Sequence, residues 1–399
     1  MKKSILFMVI NMNIGGTEKA LLNMISEMPK EEYDVTILML EKKGGFLNSV
    51  PNWVNVEYVE GYKEIKKILN DPPKTVFLHL FKQLKFISAF TFLFFYLYAK
   101  IRNDRNLFYR YYLRNTTITD KEHDVAVAYA GPMDFISFFV VNKIKSKRKI
   151  QWIHFDITNI GFNKKFASKI YNEFDKIFVV SKEGKQKVLS ILPHLKNKTE
   201  EFFNIISPTL IKKMGDAGTG FEDDFNGIRI LTVGRLSKEK GQDITISVLA
   251  RLKEAGYKVR WYCVGEGSAR GEYEKLIKEN DVENDYKLLG STSNPYPFMK
   301  QCDIYVQPSR HEGFCITLSE ARCFSKPIVS TNFTGSCEQI FHEQTGLLVN
   351  FDEQQMFKAI SRLLNDYELR DKFKKNMHNQ IIDKMSEMEK LYKVANVDY

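Results

Sequence analysis

A chain of 399 residues, 44% hydrophobic and 27% charged, is too long for one ordinary core and too apolar to stay disordered, so two or three globular domains are expected. Five cysteines (Cys263, Cys302, Cys315, Cys323, Cys337) make an odd count without a C-x-x-C pair, which reads as reduced cytosolic thiols and speaks against a secreted disulfide scaffold. The net charge of +10 is lopsided: residues 1–206 hold 32 Lys+Arg against 21 Asp+Glu, and residues 207–399 hold 27 against 28, so the first half is the one suited to an anionic partner.

The start, "MKKSILFMVI", has an apolar run of only six residues and reads as a buried strand, not a signal peptide. Helical spacing follows, with Ala20, Leu21, Met24, Ile25 and Met28 on one side. "YDVTILML", "HDVAVAYA", "KIQWIH" and "KIFVVS" continue as short apolar strands. The second half repeats the pattern with "RILTVGR", "KVRWYCVG", "YKLLG", "CDIYVQPS", "KPIVST" and "TGLLVN". Fully apolar strands alternating with helices imply βαβ units and parallel sheets. The fold class is α/β: two doubly wound, Rossmann-like parallel-sheet domains facing each other across a cleft. The boundaries fall at 1–206 and 228–381, with 207–227, which includes the Gly/Asp-rich "MGDAGTGFEDDFNG", as linker. A C-terminal helix, 382–399, is expected to pack back on the first domain.

Segment 81–115 departs from this alternation. Residues 86–99 carry no charge, and around them stand Lys82, Lys85, Lys100, Arg102, Arg105, Arg110 and Arg114, opposed only by Asp104. Fourteen apolar residues cannot span a bilayer, which needs about 20. Aromatic and apolar residues between cations suit an anionic membrane surface, and a core helix with solvated basic ends is the plainer alternative. No recognition motif accompanies the charge, so nucleic acid is not the expected partner.

Three stretches carry chemistry. In "IGGTEKALL", Gly15 and Gly16 permit close backbone approach, and the helix that follows offers free amides to an anion. A purely structural turn reads equally well there. In "TVGRLSKEKGQD", Arg235 and Lys240 leave the carboxyl end of a strand, where open α/β sheets bind ligands. Two fixed cations at that place suit a diphosphate, and a solvated loop is the alternative. In "HEGFCITLSEA", a helix beginning near Phe314 or Cys315 would turn the amides of Gly313, Phe314 and Cys315 outward. Glu312 and Glu320 would stand about 10–12 Å apart, suited to gripping hydroxyls at the two ends of a nucleotide-sugar.

Taken in order, "GGTEKA", "VGRLSKEKG", "VGEGS", "EGFCITLSEA" and "TGLLV" resemble the retaining glycosyltransferases of family 4, with the GT-B fold. The resemblance covers nearly the whole chain and is strongest from 228 to 350. It implies that Glu312 contacts the donor sugar and Glu320 the ribose, while Arg235 and Lys240 hold the diphosphate. It further places Gly15, Gly16, Gly265, Gly267, Leu289, Gly290, Gly313, Phe314, Cys315 and Ile316 around the donor, and His154 of "WIHFD" beside the reacting sugar. The sequence departs from the family's habits at "GGTEK", at Cys315, at "EARCFSKP" and in "STNFTGSCEQI", where Gly335 and Glu338 stand in for the usual G-G-x-x-E spacing.

The implied activity is retaining transfer of a sugar from a nucleoside diphosphate, expected to be UDP, to an acceptor hydroxyl on a polysaccharide or lipid-linked glycan. Glu312, His154, Arg235 and Lys240 are the catalytic candidates. Two cations at the leaving group and the lack of a D-x-D element imply no metal and no cofactor. The expected location is cytoplasmic, peripheral at the inner face of the cell membrane through 81–115. A nucleotide-sugar epimerase and a non-catalytic nucleotide-sugar-binding protein are the rival readings.

Overall fold

The structure is a computed structural model and describes residues 2–114, 116, 121–158, 161–378 and 384–396. Seven parallel strands form the first sheet: β1 (Lys3–Val9), β2 (Tyr33–Met39), β3 (Asn55–Tyr58), β4 (His123–Ala128), β5 (Ser146–Ile153), β6 (Lys176–Val179) and β7 (Thr199–Glu201). Their order is β3-β2-β1-β4-β5-β6-β7. Six parallel strands form the second: β8 (Ile228–Val233), β9 (Val259–Val264), β10 (Tyr286–Leu288), β11 (Ile304–Gln307), β12 (Ile328–Thr331) and β13 (Leu347–Val349), ordered β10-β9-β8-β11-β12-β13. Both sheets are doubly wound. In each, the first strand of the unit lies where the strand order reverses, and its carboxyl end opens the crevice in which such sheets bind ligands. That position belongs to β1 in the first domain and β8 in the second.

The interior strands announce themselves because both faces are covered by helices. β1 buries Ile5 through Val9 without a break, and β8 buries Ile230 through Val233. β3 and β7 are not visible in the sequence pattern. Each is a short edge strand carrying polar residues, "NVEY" and "TEE", and only its neighbour defines it.

Segment 207–227 is more than a linker. It holds the helix Pro208–Asp216, whose Met214 carbonyl accepts from Asn294 Nδ2 at 3.0 Å. Further on, Asp223 binds Arg229, Arg260 and the Tyr262 hydroxyl, so this stretch is fastened to the second domain. At the other end the helix Lys384–Asn396 returns to the first sheet. Met388, Leu391 and Ala395 are buried in that core, and Tyr392 stacks on Tyr33 with centroids 5.0 Å apart. Residues 382–383 and 397–399 of the expected helix lie outside the described residues.

The two domains are in contact. Ala20, from the first helix of the first domain, packs into the core of the second sheet, and Phe314 of the second domain packs into the core of the first. A polar seam lies beside this exchange. Thr334 donates to Asp156 at 2.8 Å, and Lys187 reaches both Asp156 at 2.7 Å and Thr334 at 2.6 Å. Glu338 accepts from the backbone amides of Lys182 and Glu183, each at 3.0 Å.

Candidate active site

The chain leaves β8 at Gly234, turns through Leu236 and Ser237, and makes a single 3-10 turn at Lys238–Lys240 before Gly241 starts the helix Gln242–Glu254. Gly241 has φ +70°, and a Cβ there would lie 2.1 Å from the Pro308 carbonyl, so the position demands glycine. This turn puts Arg235 and Lys240 at the mouth of the crevice. Arg235 is exposed, and its guanidinium forms no hydrogen bond or salt bridge among the described residues. Lys240 is not a bare cation. Its Nζ donates to Glu312 Oε1 at 2.6 Å, and the same oxygen accepts the Ser309 hydroxyl at 2.7 Å. Burial pulls the Lys240 ammonium down, but the Glu312 carboxylate outweighs it and holds the pKa above the usual lysine value.

The stretch after Glu312 folds differently from the sequence expectation. The helix begins at Ile316 and runs only to Arg322, because Cys315 caps it in a left-handed conformation at φ 66°. Residues 313–315 are therefore loop. Gly313 lies against the first domain: a Cβ there would come within 1.9 Å of the His154 carbonyl. Phe314 packs on Phe203, centroids 5.9 Å apart, and the buried Cys315 thiol is pushed up to about 12 by burial.

Glu320 is buried within the short helix, where its Oε1 accepts the Tyr296 hydroxyl at 2.7 Å. Burial raises its carboxyl above the usual range. The hydrogen bond from Tyr296 and the ammonium of Lys19, reaching over from the first domain, oppose that shift. Lys19 also lies 5.4 Å from the centroid of the Tyr296 ring.

From the first domain, the helix Gly16–Ser26 aims its N-terminus at this region. Gly16 approaches Ile316, and a Cβ on it would stand 3.4 Å from the Ile316 Cγ2. The amides expected to meet a phosphate have a resident acid nearby. Glu18 Oε2 lies 2.5 Å from where a Gly15 Cβ would be, and the carboxylate turns back on its own amide. Burial raises the Glu18 carboxyl, while that amide and the Arg235 guanidinium pull it down. His154 is buried beside Tyr129, ring centroids 4.5 Å apart, and its Nε2 has no hydrogen-bond partner among the described residues. Burial holds the imidazole neutral, its pKa lowered from 6.5 to about 3.

The remaining candidates divide. Gly265 has φ +154° and Gly267 lies beside it. Their Cβ atoms would meet the Gly234 and Leu236 carbonyls at 1.9 and 2.2 Å, so both are glycine because one loop lies on another. Gly290 has φ +81°, its carbonyl accepts the Gly265 amide at 2.8 Å, and its neighbour Leu289 is 43% exposed. Among the described residues no cluster of His, Cys, Asp or Glu could hold a metal ion.

Residues 223–380 match the family described as glycosyl transferases group 1. The match lies in the second domain and the end of the segment before it. Relatives of this chain include the N-acetylgalactosamine-N,N'-diacetylbacillosaminyl-diphospho-undecaprenol 4-alpha-N-acetylgalactosaminyltransferase of Campylobacter jejuni, 32% identical over 53% of this chain and 57% of the relative. Another is the capsular polysaccharide biosynthesis glycosyltransferase CapM of Staphylococcus aureus, 30% identical over 40% of this chain and 44% of the relative. The chain thus spans about half the length of the curated relatives it matches. Among solved structures, HepE of Anabaena in complex with UDP superimposes with a TM-score of 0.67, covering 98% of this chain and 99% of that one at 18% identity. At that identity the likeness is one of fold, and the fold is GT-B.

In the matched domain, Lys240 binds Glu312 and feels the charge of Arg235, while Glu320 is buried on Tyr296. Glu18 and Lys19 of the first domain, which sequence reasoning passed over as part of a glycine turn, join them. A signal for Glu18 existed: an acid in the first turn of a helix meets free amides. Tyr296 carries no such signal, because it reaches Glu320 across 24 residues of sequence.

Proposed function

We propose that this chain transfers a sugar from a nucleoside diphosphate, UDP by preference, to an acceptor hydroxyl with retention of anomeric configuration and without a metal. The observation that carries this is Arg235, an exposed cation without an ion-pair partner among the described residues, at the carboxyl end of β8 and beside the Lys240–Glu312 pair. The match of residues 223–380 to the group 1 family and the relatives named above support it.

In this reading the diphosphate meets Arg235 and Lys240 and displaces Glu18 from the influence of Arg235. As the bond to the sugar breaks, negative charge grows on the leaving oxygen, and the two cations stabilise it. Fixed groups of this kind are worth about 10²–10³ each in rate. Glu312, released from Lys240 as the phosphate takes over that ammonium, anchors a sugar hydroxyl. Glu320 serves the ribose, and the turn at Leu289 and Gly290 lies beside the base. The unpartnered Nε2 of His154 orients a sugar hydroxyl, and the neutral imidazole is the form suited to that task. Gly15, Gly16, Gly313, Phe314, Cys315 and Ile316 line the meeting of the two domains, where the donor sugar lies. Attack comes from the face the nucleotide leaves.

The acceptor is a polysaccharide or lipid-linked glycan, the two classes that the names of the two relatives carry for those proteins, and in this reading it is presented at the cytoplasmic face of the cell membrane. Thermal stabilisation across a panel of UDP- and GDP-sugars identifies the donor. Incubation with donor alone separates transfer from epimerisation: a new epimer formed without acceptor would overturn the proposal.

A further inference from the structure

We infer that the helix Phe86–Arg102 is an interfacial anchor that lies flat in the headgroup layer of an anionic lipid bilayer. On its outward side Ile87, Phe90, Phe94, Leu97 and Ile101 recur at steps of three and four residues and are between 44% and 86% exposed. On the inward side Ala89, Phe92 and Ala99 are buried, and Phe92 and Ala99 join the core of the first domain. A helix packed on a globular domain normally turns its polar residues outward, and this one turns out an apolar stripe.

Such a stripe has two natural covers, a second copy of the same helix or a lipid surface. The charges decide between them. Lys82 and Lys85 stand before the stripe, Lys100 and Arg102 close it, and Arg110 lies just beyond. The one acid of the segment, Asp104, is engaged by Lys169 at 2.7 Å. Two copies paired along the stripe, parallel or antiparallel, set cations against cations at both ends. An anionic headgroup layer neutralises both ends at once.

Length settles the orientation. The charge-free stretch 86–99 is about 20 Å long as a helix, against about 30 Å of hydrocarbon. No helix among the described residues is long and apolar enough to cross a membrane. The helix therefore lies along the surface, with the aromatic and aliphatic side chains below the headgroups and the lysines and arginines at their level. The anchor rests on the proposed membrane-borne acceptor for its purpose, though its physics is independent of the donor chemistry.

The test is sedimentation of the full chain with vesicles of phosphatidylcholine alone and of phosphatidylcholine with about a third phosphatidylglycerol at low salt. Wild type, F90E/F94E and K82Q/K85Q/K100Q are compared, and thermal stabilisation by UDP is recorded for each. Wild type should bind the anionic vesicles. F90E/F94E should lose that binding by about tenfold or more, and the lysine variant should lose the preference for anionic over neutral vesicles. All three should keep the same UDP response, since the substituted side chains are exposed and belong to the other domain. Equal sedimentation of wild type and F90E/F94E would overturn the anchor, as would a wild-type dimer that F90E/F94E converts to monomer. If UDP stabilises none of the three while vesicle binding follows the expected pattern, the anchor stands and the donor reading falls.

Discussion

Lys240 Nζ and Glu312 Oε1 are joined at 2.6 Å, with their side chains 21% and 11% exposed. The cation read as a phosphate ligand and the acid read as a sugar ligand thus hold each other, and the proposed donor must exchange that pair for two new ones. Lys240→Ala should lower the transfer rate by about 10²–10³. It should cost about 1–3 kcal/mol of stability, because Glu312 keeps only the Ser309 hydroxyl. Transfer and urea unfolding measured on the same preparation check both figures. A rate near wild type would remove Lys240 from the diphosphate site.

Gly313 and Gly16 face the opposite domain with different tolerances. A methyl group on Gly313 would meet the backbone carbonyl of His154 at 1.9 Å, and a backbone atom cannot step aside as a side-chain tip can. On Gly16 it would meet only Ile316 Cγ2 at 3.4 Å, an ordinary contact. Gly313→Ala should therefore push the domains apart and lower transfer by about tenfold or more, while UDP still binds the second domain. Gly16→Ala should change stability by less than about 1 kcal/mol. Small-angle scattering and UDP titration read the outcomes. A Gly313→Ala chain with unchanged radius of gyration and full activity would show that this approach does not set the domain closure.

His154 makes the fold sensitive to acid. Its pKa falls from 6.5 to about 3 through burial, so the folded chain binds this proton less readily than the unfolded chain does. A depressed pKa contributes stability that is present above 6.5 and lost as pH falls from there toward about 3, at up to about 1.4 kcal/mol per pH unit. Unfolding of wild type and His154→Asn at several pH values between 6.5 and 5 should show the wild type losing stability faster, by close to one proton. Parallel slopes would mean that the imidazole is not held neutral.

The sequence made the interior of both sheets legible because a strand covered on both faces must be apolar along its length, as β1 and β8 are. Edge strands β3 and β7 were invisible for the converse reason: their exposed sides are polar and their existence depends on a neighbour. At the crevice, Arg235, Lys240 and Glu312 could be read from the sequence because they lie in the loops that follow strands. Their pairing could not, since Lys240 and Glu312 are 72 residues apart and meet only when β8 and β11 are neighbours. The loop after Glu312 misled for a local reason. An E-G-F run ahead of "CITLSEA" looks like the start of a helix, whereas the left-handed Cys315 delays it to Ile316. Contacts that join the two domains carry the least sequence signal, and Glu338 is the clearest case.

Glu338 belongs to the second domain and caps a helix of the first. The helix Lys182–Ile191 leaves the amides of Lys182, Glu183 and Gly184 without helical partners. Ser181 Oγ takes the Gly184 amide at 3.0 Å, and the two oxygens of Glu338 take the other two. A carboxylate at this end also meets the positive pole of the helix. Glu338→Ala should leave two amides to water and cost about 1–2 kcal/mol. The loss should appear first in the contact between domains, because Ser181 still caps the helix locally. Hydrogen exchange at Lys182 and Glu183 should quicken by about tenfold or more in Glu338→Ala, with a smaller change in Glu338→Gln, whose amide oxygen still accepts one bond. Unchanged exchange at both amides would show that Ser181 and solvent suffice there and that the domains are held together by the apolar contacts of Phe314 and Ala20.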